Sequence, residues 1–314
     1  MALTDVLVLR ALGVGDLLTA VPALRALRRE FRGARMRLAT SAELRDLVEL
    51  IGGIDDILPT AGLAAMEPCG RRPDLAVNCH GRGPQSTALL RRTDPATLWC
   101  HRDPDIGAAG PEWDTELHEV DRWCSLVRYH GLTADPTDLR IAAPRTAPVE
   151  AAIVVHPGAA SAARRWPADR FAAVIRELAV RFPGPVVVTG GPGEHGLVEQ
   201  VCGRVGTDVA VLRAVPCRLR EMVALVAHAR LVICGDTGTA HVATAVATPS
   251  VVLFGPTPPH GWGPRIDEPL HTVLWAGRCG DPHGDRLDPG LADIGAEQVL
   301  SAASAQLEGR TSHV

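Results

Sequence analysis

Residues 231–256, LVICGDTGTAHVATAVATPSVVLFGP, constrain the fold of this chain more than any other stretch. The apolar run 231–234 predicts a buried strand, Gly235-Asp236-Thr237-Gly238 is turn chemistry, and the small residues 239–247 predict a tightly packed helix. Pro249 ends that helix, and 250–254 begins the next strand. In such a unit the helix starts at the carboxyl end of the strand, where free backbone N–H groups and the helix dipole favour a phosphate or diphosphate. Asp236 would repel a phosphate, so its carboxylate is better suited to accept hydrogen bonds from sugar hydroxyls. The unit therefore points to a ligand carrying both a diphosphate and a polyol.

The 314 residues suffice for two domains of ordinary size. With 46% hydrophobic and 22% charged residues the chain is globular, and a net charge of −4 argues against nucleic acid as a partner. There is no lysine, so all 32 basic residues are arginine, and any cationic role falls to Arg or His. The eight cysteines form no C-x-x-C pair, which fits small core residues of a reduced, cytoplasmic protein rather than a zinc or disulfide framework. The opening MALTDVLVLRALGVGD has no basic leader and reads as a strand, not a signal peptide. No apolar run approaches the roughly 18 residues of a spanning helix, so any membrane contact is expected to be peripheral.

From the N-terminus, strands are predicted at 6–9, 36–40, 56–58, 74–79 and 97–100, with helices from about Thr19, at 42–50 and at 114–130. Pro22 fits only the first turn of the helix that begins near Thr19. Asp16 then falls at a loop-to-helix junction on the sheet's rim, as a helix cap or as a functional carboxylate. His80, Arg82 and Gln85, in the polar loop after the strand at 74–79, are candidate acceptor contacts or members of a solvated loop. Residues 134–148, with Pro136, Pro144 and Pro148, are expected to link a domain of residues 1–148 to one of residues 149–314. In the second half strands are predicted at 152–155, 185–189 and 209–212, and helices at 168–182, 194–201, 219–229 and 292–307, the last one expected to be able to cross back to the first domain. Alternating strand and helix in both halves predicts two parallel-sheet α/β domains.

Three motifs in order, GVGDLLTAVPAL at 13–24, HPGA with RRWP at 156–167, and GDTGTAHVATAVATPSVVLFGPTPP at 235–259, resemble glycosyltransferase family 9, the bacterial ADP-heptose-type heptosyltransferases. The resemblance implies two Rossmann-like domains facing each other across a cleft, the GT-B arrangement, with the first binding acceptor and the second the nucleotide-sugar donor. It implies Asp16 as the general base, with Gly15, His80, Arg82 and Gln85 on the acceptor side. On the donor side it implies His156, Gly158 and Arg164, with Glu194 at the nucleotide ribose, Asp236 at the donor sugar, and Thr237, Gly238 and His241 at the diphosphate. Where the family usually has lysine before Trp-Pro, this chain has Arg164 followed by Arg165, which keeps the charge but changes its reach; two solvated charges flanking a helix are the alternative.

The reaction so implied is an inverting, metal-independent transfer of a sugar, a heptose first, from a nucleoside-diphosphate donor such as ADP-heptose to a glycan, glycolipid or natural-product hydroxyl. No cofactor is expected: there is no Asp-x-Asp motif, and His260, His271 and His283 are scattered. A sugar-nucleotide 2-epimerase and a non-catalytic nucleotide-sugar-binding protein are the competing readings. A dinucleotide oxidoreductase fits poorly, because Gly13-Val14-Gly15-Asp16 lacks the third glycine of the pyrophosphate fingerprint.

Overall fold

The computed structural model describes residues 3–63, 66, 70–207, 209–215 and 218–311. The chain divides into two compact units, Met1–Ile141 and Ala142–Val314, and the division falls inside the proline-rich stretch expected as linker.

In the first unit, strands β1 (Asp5–Leu9), β2 (Arg35–Thr40), β3 (Asp56–Pro59), β4 (Leu75–Asn78) and β5 (Thr97–Trp99) form a parallel sheet ordered β3-β2-β1-β4-β5. β1 and β4 are buried along their whole length, which is why they read as unbroken apolar runs rather than alternating ones. After β1 the chain forms α1 (Val14–Thr19) and α2 (Val21–Glu30), followed later by α3 (Arg45–Ile51), α4 (Gln85–Arg91) and α5 (Glu119–Tyr129). Pro22 stands in the first turn of α2 as expected. The helix α1 was not expected, because two glycines and an aspartate read locally as loop. Its first turn is closed by Leu17 N–H to Gly13 O and by the Asp16 carboxylate, which accepts from Gly13 N–H.

α5 begins at Glu119 rather than near 114. The reason is local side-chain bonding: the Arg122 guanidinium donates to the carbonyls of Asp114, Thr115 and Leu117, holding them out of a helix, while His118 caps the start by accepting from Val120 N–H at 3.1 Å.

The second unit holds β6 (Ile153–His156), β7 (Val186–Thr189), β8 (Val211–Ala214), β9 (Leu231–Gly235), β10 (Ser250–Phe254) and β11 (His271–Trp275), a parallel sheet ordered β11-β10-β9-β6-β7-β8. Its helices are α6 (Ala168–Arg181), α7 (His195–Val205), α8 (Leu219–Ala227), α9 (Gly238–Ala245), α10 (Pro259–Trp262), α11 (Pro289–Asp293) and α12 (Ala296–Thr311). One core joins the apolar face of α6, including Phe171, Ile175 and Leu178, to strand residues Ile153, Val188 and Ile233 and to Val299 and Ala303 of α12. The tail is thus broken into α11 and α12, and α12 packs on α6 and on β9, β10 and β11 of its own unit. The break is pinned: Ile294 O accepts from Trp166 Nε1 at 2.9 Å and from Arg170 Nη1 at 2.8 Å. The Trp-Pro of the RRWP motif is therefore an anchor for the C-terminal helices.

Candidate functional site

In both sheets the chain winds outward in opposite directions from a central pair of neighbours, β1 and β4 in the first unit and β6 and β9 in the second. Helices leaving such a pair diverge, and the loops beyond its carboxyl ends line a crevice. The residues singled out in the sequence fall at these ends: Gly15 and Asp16 after β1, His80 and Arg82 after β4, His156 and Gly158 after β6, and Asp236, Thr237 and Gly238 at the end of β9.

In the first unit, Asp16 lies in the first turn of α1 with a side chain 28% exposed. Its Oδ2 accepts from Gly13 N–H at 3.1 Å, so it caps the helix and presents a solvent-accessible carboxylate at once. Its Oδ1 stands 3.5 Å from Nη2 of Arg10, a residue the sequence reading passed over. Arg10 is fully buried, and its guanidinium donates to Asp16 O at 2.8 Å, Cys79 O at 2.7 Å, Thr19 Oγ1 at 3.1 Å and Glu119 Oε1 at 3.0 Å. It also stacks on Trp123, 4.6 Å from the ring centroid, a favourable place for a desolvated cation. Glu119, itself buried, accepts from Trp123 Nε1 at 2.9 Å and from Arg122.

The charge at the end of the run Val6-Leu7-Val8-Leu9-Arg10 was the available signal: an arginine placed where a buried strand meets a glycine-bearing loop needs partners. His80 accepts at Nδ1 from Ala11 N–H at 3.3 Å, which leaves its Nε2 as the protonated nitrogen of the neutral ring. Burial and, next, the Arg10 charge push its pKa down, against an opposing pull from Asp16. Arg82 and Gln85 are exposed, and neither makes a hydrogen bond or ion pair among the described residues.

In the second unit, His156 is buried, with Nδ1 2.9 Å from Thr189 Oγ1 and Nε2 3.8 Å from Glu194 Oε2. Burial pushes its pKa down and the Glu194 carboxylate partly offsets this, so the ring is neutral near pH 7. Thr189, at the end of β7, is a second residue that sequence reasoning missed. Glu194 opens α7 and turns back to accept from Gly191 N–H at 2.7 Å.

Arg164 ends a single 3-10 turn and places Nη1 3.5 Å from Asp236 Oδ2 and 3.3 Å from Asp236 O. That turn is held by Ser161 Oγ to Pro282 O at 2.6 Å, Ala163 N–H to Gly284 O at 3.1 Å and Asp288 N–H to Ala163 O at 3.2 Å. Gly235 permits the approach, since a Cβ there would meet Arg164 O at 3.1 Å. Arg165 is exposed and donates through Nε to Ala159 O at 3.0 Å. Asp236 is only 6% exposed. Thr237 caps α9 without a side-chain hydrogen bond, so the first amides of α9 stay directed outward from the helix end. One turn on, His241 lies edge-on to Trp262 at 6.1 Å.

Among the described residues no group of three or more His, Cys, Asp or Glu could hold a metal ion. Of the cysteines, Cys79, Cys100, Cys124, Cys202 and Cys234 are buried and Cys279 is exposed, all with free thiols, while Cys69 and Cys217 lie outside the described residues. Burial pushes the Cys79 thiol up to about 12, which makes it inert. No helix among the described residues is long and apolar enough to cross a membrane.

Polar groups gathered at the central strand pair of a parallel α/β sheet, beside an open helix N-terminus, are the mark of proteins that handle nucleotides and their sugar conjugates. The family model for glycosyltransferase family 9 (heptosyltransferase) matches residues 113–279, more than half of the chain, and the protein belongs to that family. This bears out the resemblance carried by the three motifs.

Lipopolysaccharide heptosyltransferase 3 of Escherichia coli is 32% identical over 165 residues, 51% of this chain and 48% of that protein. The chain thus spans about half the length of the curated relatives it matches. Among solved structures, E. coli ADP-heptose lps heptosyltransferase II matches with a TM-score of 0.79 at 19% identity, over 98% of this chain and 100% of that one. E. coli heptosyltransferase WaaC with ADP matches with a TM-score of 0.70 at 18% identity, over 96% and 100%. At these identities the likeness speaks for the fold: two parallel-sheet α/β domains of the kind found in the solved heptosyltransferases.

Proposed function

We propose that this protein is a glycosyltransferase that moves a heptose from ADP-heptose, or a close nucleoside-diphosphate sugar, to a hydroxyl of a glycan, glycolipid or other glycoside. The observation that carries the reading is the Arg164–Asp236 pair beside the open amides of α9, at the central strand pair of the second sheet. A cation and free amides suit a departing diphosphate, and a carboxylate suits sugar hydroxyls. Family membership favours transfer over the epimerase reading. Two of the solved relatives are described as containing ADP or an ADP-heptose analogue, which supports adenine as the base of the donor.

In the reaction the acceptor hydroxyl gives its proton to Asp16 as its oxygen bonds to the anomeric carbon. The bond from that carbon to the diphosphate oxygen breaks on the opposite face, so the configuration inverts. Arg164 and the amides of Thr237 and Gly238 receive the charge of the departing nucleoside diphosphate, with no metal. Glu194 and His156 take the ribose side, and His80 directs its Nε2–H toward the acceptor. Gly15, Arg82 and Gln85 complete the acceptor side.

The test is a donor screen with purified protein, offering ADP-, GDP- and UDP-sugars and reading nucleoside diphosphate release by mass spectrometry. An ADP-sugar is expected to bind most tightly and to be the one turned over. Turnover of a UDP- or GDP-sugar alone overturns the donor assignment, and a product that is an epimer of the donor overturns the transferase.

A further inference from the structure

Asp16 is more than an exposed carboxylate, because a buried cation stands behind it and a second carboxylate competes for that cation. Nη2 of Arg10 has two hydrogens and three acceptors within reach: Glu119 Oε1 at 3.0 Å, Thr19 Oγ1 at 3.1 Å and Asp16 Oδ1 at 3.5 Å. Of the other N–H groups, Nε donates to Asp16 O at 2.8 Å and one Nη1–H donates to Cys79 O at 2.7 Å. Two hydrogens are shared by three acceptors, and the bond to Asp16 Oδ1 is the longest and so the weakest of the three. Glu119 is itself held in place by Trp123 Nε1 and Arg122, so it cannot swing away from Arg10.

We propose that Glu119 is a positioning residue for the transfer: by occupying an Arg10 proton it keeps Asp16 able to accept one from the acceptor hydroxyl. This rests on the reading of Asp16 as the base. Without the Glu119 charge, the Arg10 Nη2 bond to that side chain weakens, and the long bond to Asp16 Oδ1 tightens into a charge-assisted hydrogen bond of full strength. A base so engaged is a weaker one, and the loss falls on proton transfer rather than on substrate binding.

The charged and titratable groups facing the pair are Arg10 just after β1, Asp16 from α1, Cys79 and His80 just after β4, His101 from the segment after β5, and Glu119, Arg122 and Cys124 from α5. Of these, His80 has its Nδ1 already engaged by Ala11 N–H. That leaves Arg10 as the cation whose partition between two carboxylates sets the behaviour of Asp16.

The experiment compares wild type, Glu119→Gln and Asp16→Asn in the transfer assay across pH, with melting temperature and ADP binding recorded for each. Glu119→Gln keeps the shape of the side chain and an acceptor for Trp123. It is expected to lower kcat about 10-fold, within the ~100- to 10,000-fold range a general base contributes, with the acceptor KM changed less than about 2-fold. The acid limb of its pH–rate profile is expected to move to lower pH, because the hydrogen bond favours the ionised carboxylate. A kcat and pH profile coincident with wild type overturn the inference. So does a uniform loss of kcat at every pH, which marks a merely structural role. The failure of the base assignment is read separately, as an Asp16→Asn variant that still transfers, and the failure of the transferase reading as a wild type that turns over no nucleotide sugar.

Discussion

A Cβ atom on Gly158 would stand 2.1 Å from Oε1 of Glu194, so the two residues coexist only because position 158 has no side chain. The carboxylate is thereby packed against the loop after β6 while it holds Gly191 N–H at 2.7 Å. Gly158→Ala is expected to push the carboxylate aside. Nucleotide affinity measured by calorimetry should fall about 10-fold, a loss of ~1.4 kcal/mol. Unchanged affinity would mean that Glu194 does not serve the nucleotide.

Arg164 is the guanidinium beside Asp236 in a chain with no lysine. Arg164→Ala should weaken ADP binding by about 10-fold or more, since a hydrogen bond to a charged group is worth ~1.5–3 kcal/mol. It should also flatten the dependence of affinity on salt. Arg164→Lys, which keeps the charge but not the fork, should recover part of the loss; equal binding by all three proteins at low and high salt would remove Arg164 from the diphosphate site.

Gly110 tests the first unit's folding without touching the chemistry. A Cβ there would lie 1.9 Å from the carbonyl oxygen of Cys100, a backbone atom that cannot rotate away. Gly110→Ala should therefore cost about 3 kcal/mol, the upper end for overpacking, seen as a lower denaturation midpoint. A variant as stable as wild type would contradict the close approach of the two segments.

His228 gives the stability a pH signature. Its Nδ1 meets Glu150 Oε2 at 2.9 Å and its Nε2 meets Pro144 O at 2.9 Å, so both nitrogens must carry protons to satisfy both acceptors. The Pro144 carbonyl raises its pKa most; burial opposes the rise, and the Glu150 carboxylate adds to it as a charge and as a hydrogen-bond acceptor. A raised folded-state pKa adds stability that is complete below the unfolded value of about 6.5 and is lost as pH rises through the folded value. His228→Ala should therefore lower the melting temperature more at about pH 5.5 than at about pH 9. Equal losses at both would argue against the charged form. The buried rings of His101 and His156 and the half-buried rings of His80 and His130 act with the opposite sign: desolvation lowers each pKa, so the folded state loses ground as pH falls below about 6.5.

The strands and their order of alternation with helices were legible because fully buried parallel strands are continuous apolar runs, as in Val6-Leu7-Val8-Leu9 and Val251-Val252-Leu253-Phe254. Asp16 and Asp236 were legible because each follows such a run at a glycine. What escaped was set by partners distant in sequence. Arg10 meets Glu119 across a separation of 109 residues, and no local pattern announces that pairing. The late start of α5 has a local origin instead, since Arg122 turns back on the Asp114, Thr115 and Leu117 carbonyls just upstream, some of which a periodicity argument assigns to the helix. Strand β8, expected at 209–212, runs Val211–Ala214 because its register is dictated by pairing with Val186–Thr189 rather than by its own half-exposed residues.

Among the described residues each strand pairs within its own sheet, β1 to β5 in one and β6 to β11 in the other. A crossover between Ile141 and Ala142 therefore severs no backbone ladder. Chimeras joining the first half of this chain to the second half of a relative would exchange one set of strand-end loops wholesale, and such hybrids offer a direct test of the proposed division between donor and acceptor binding.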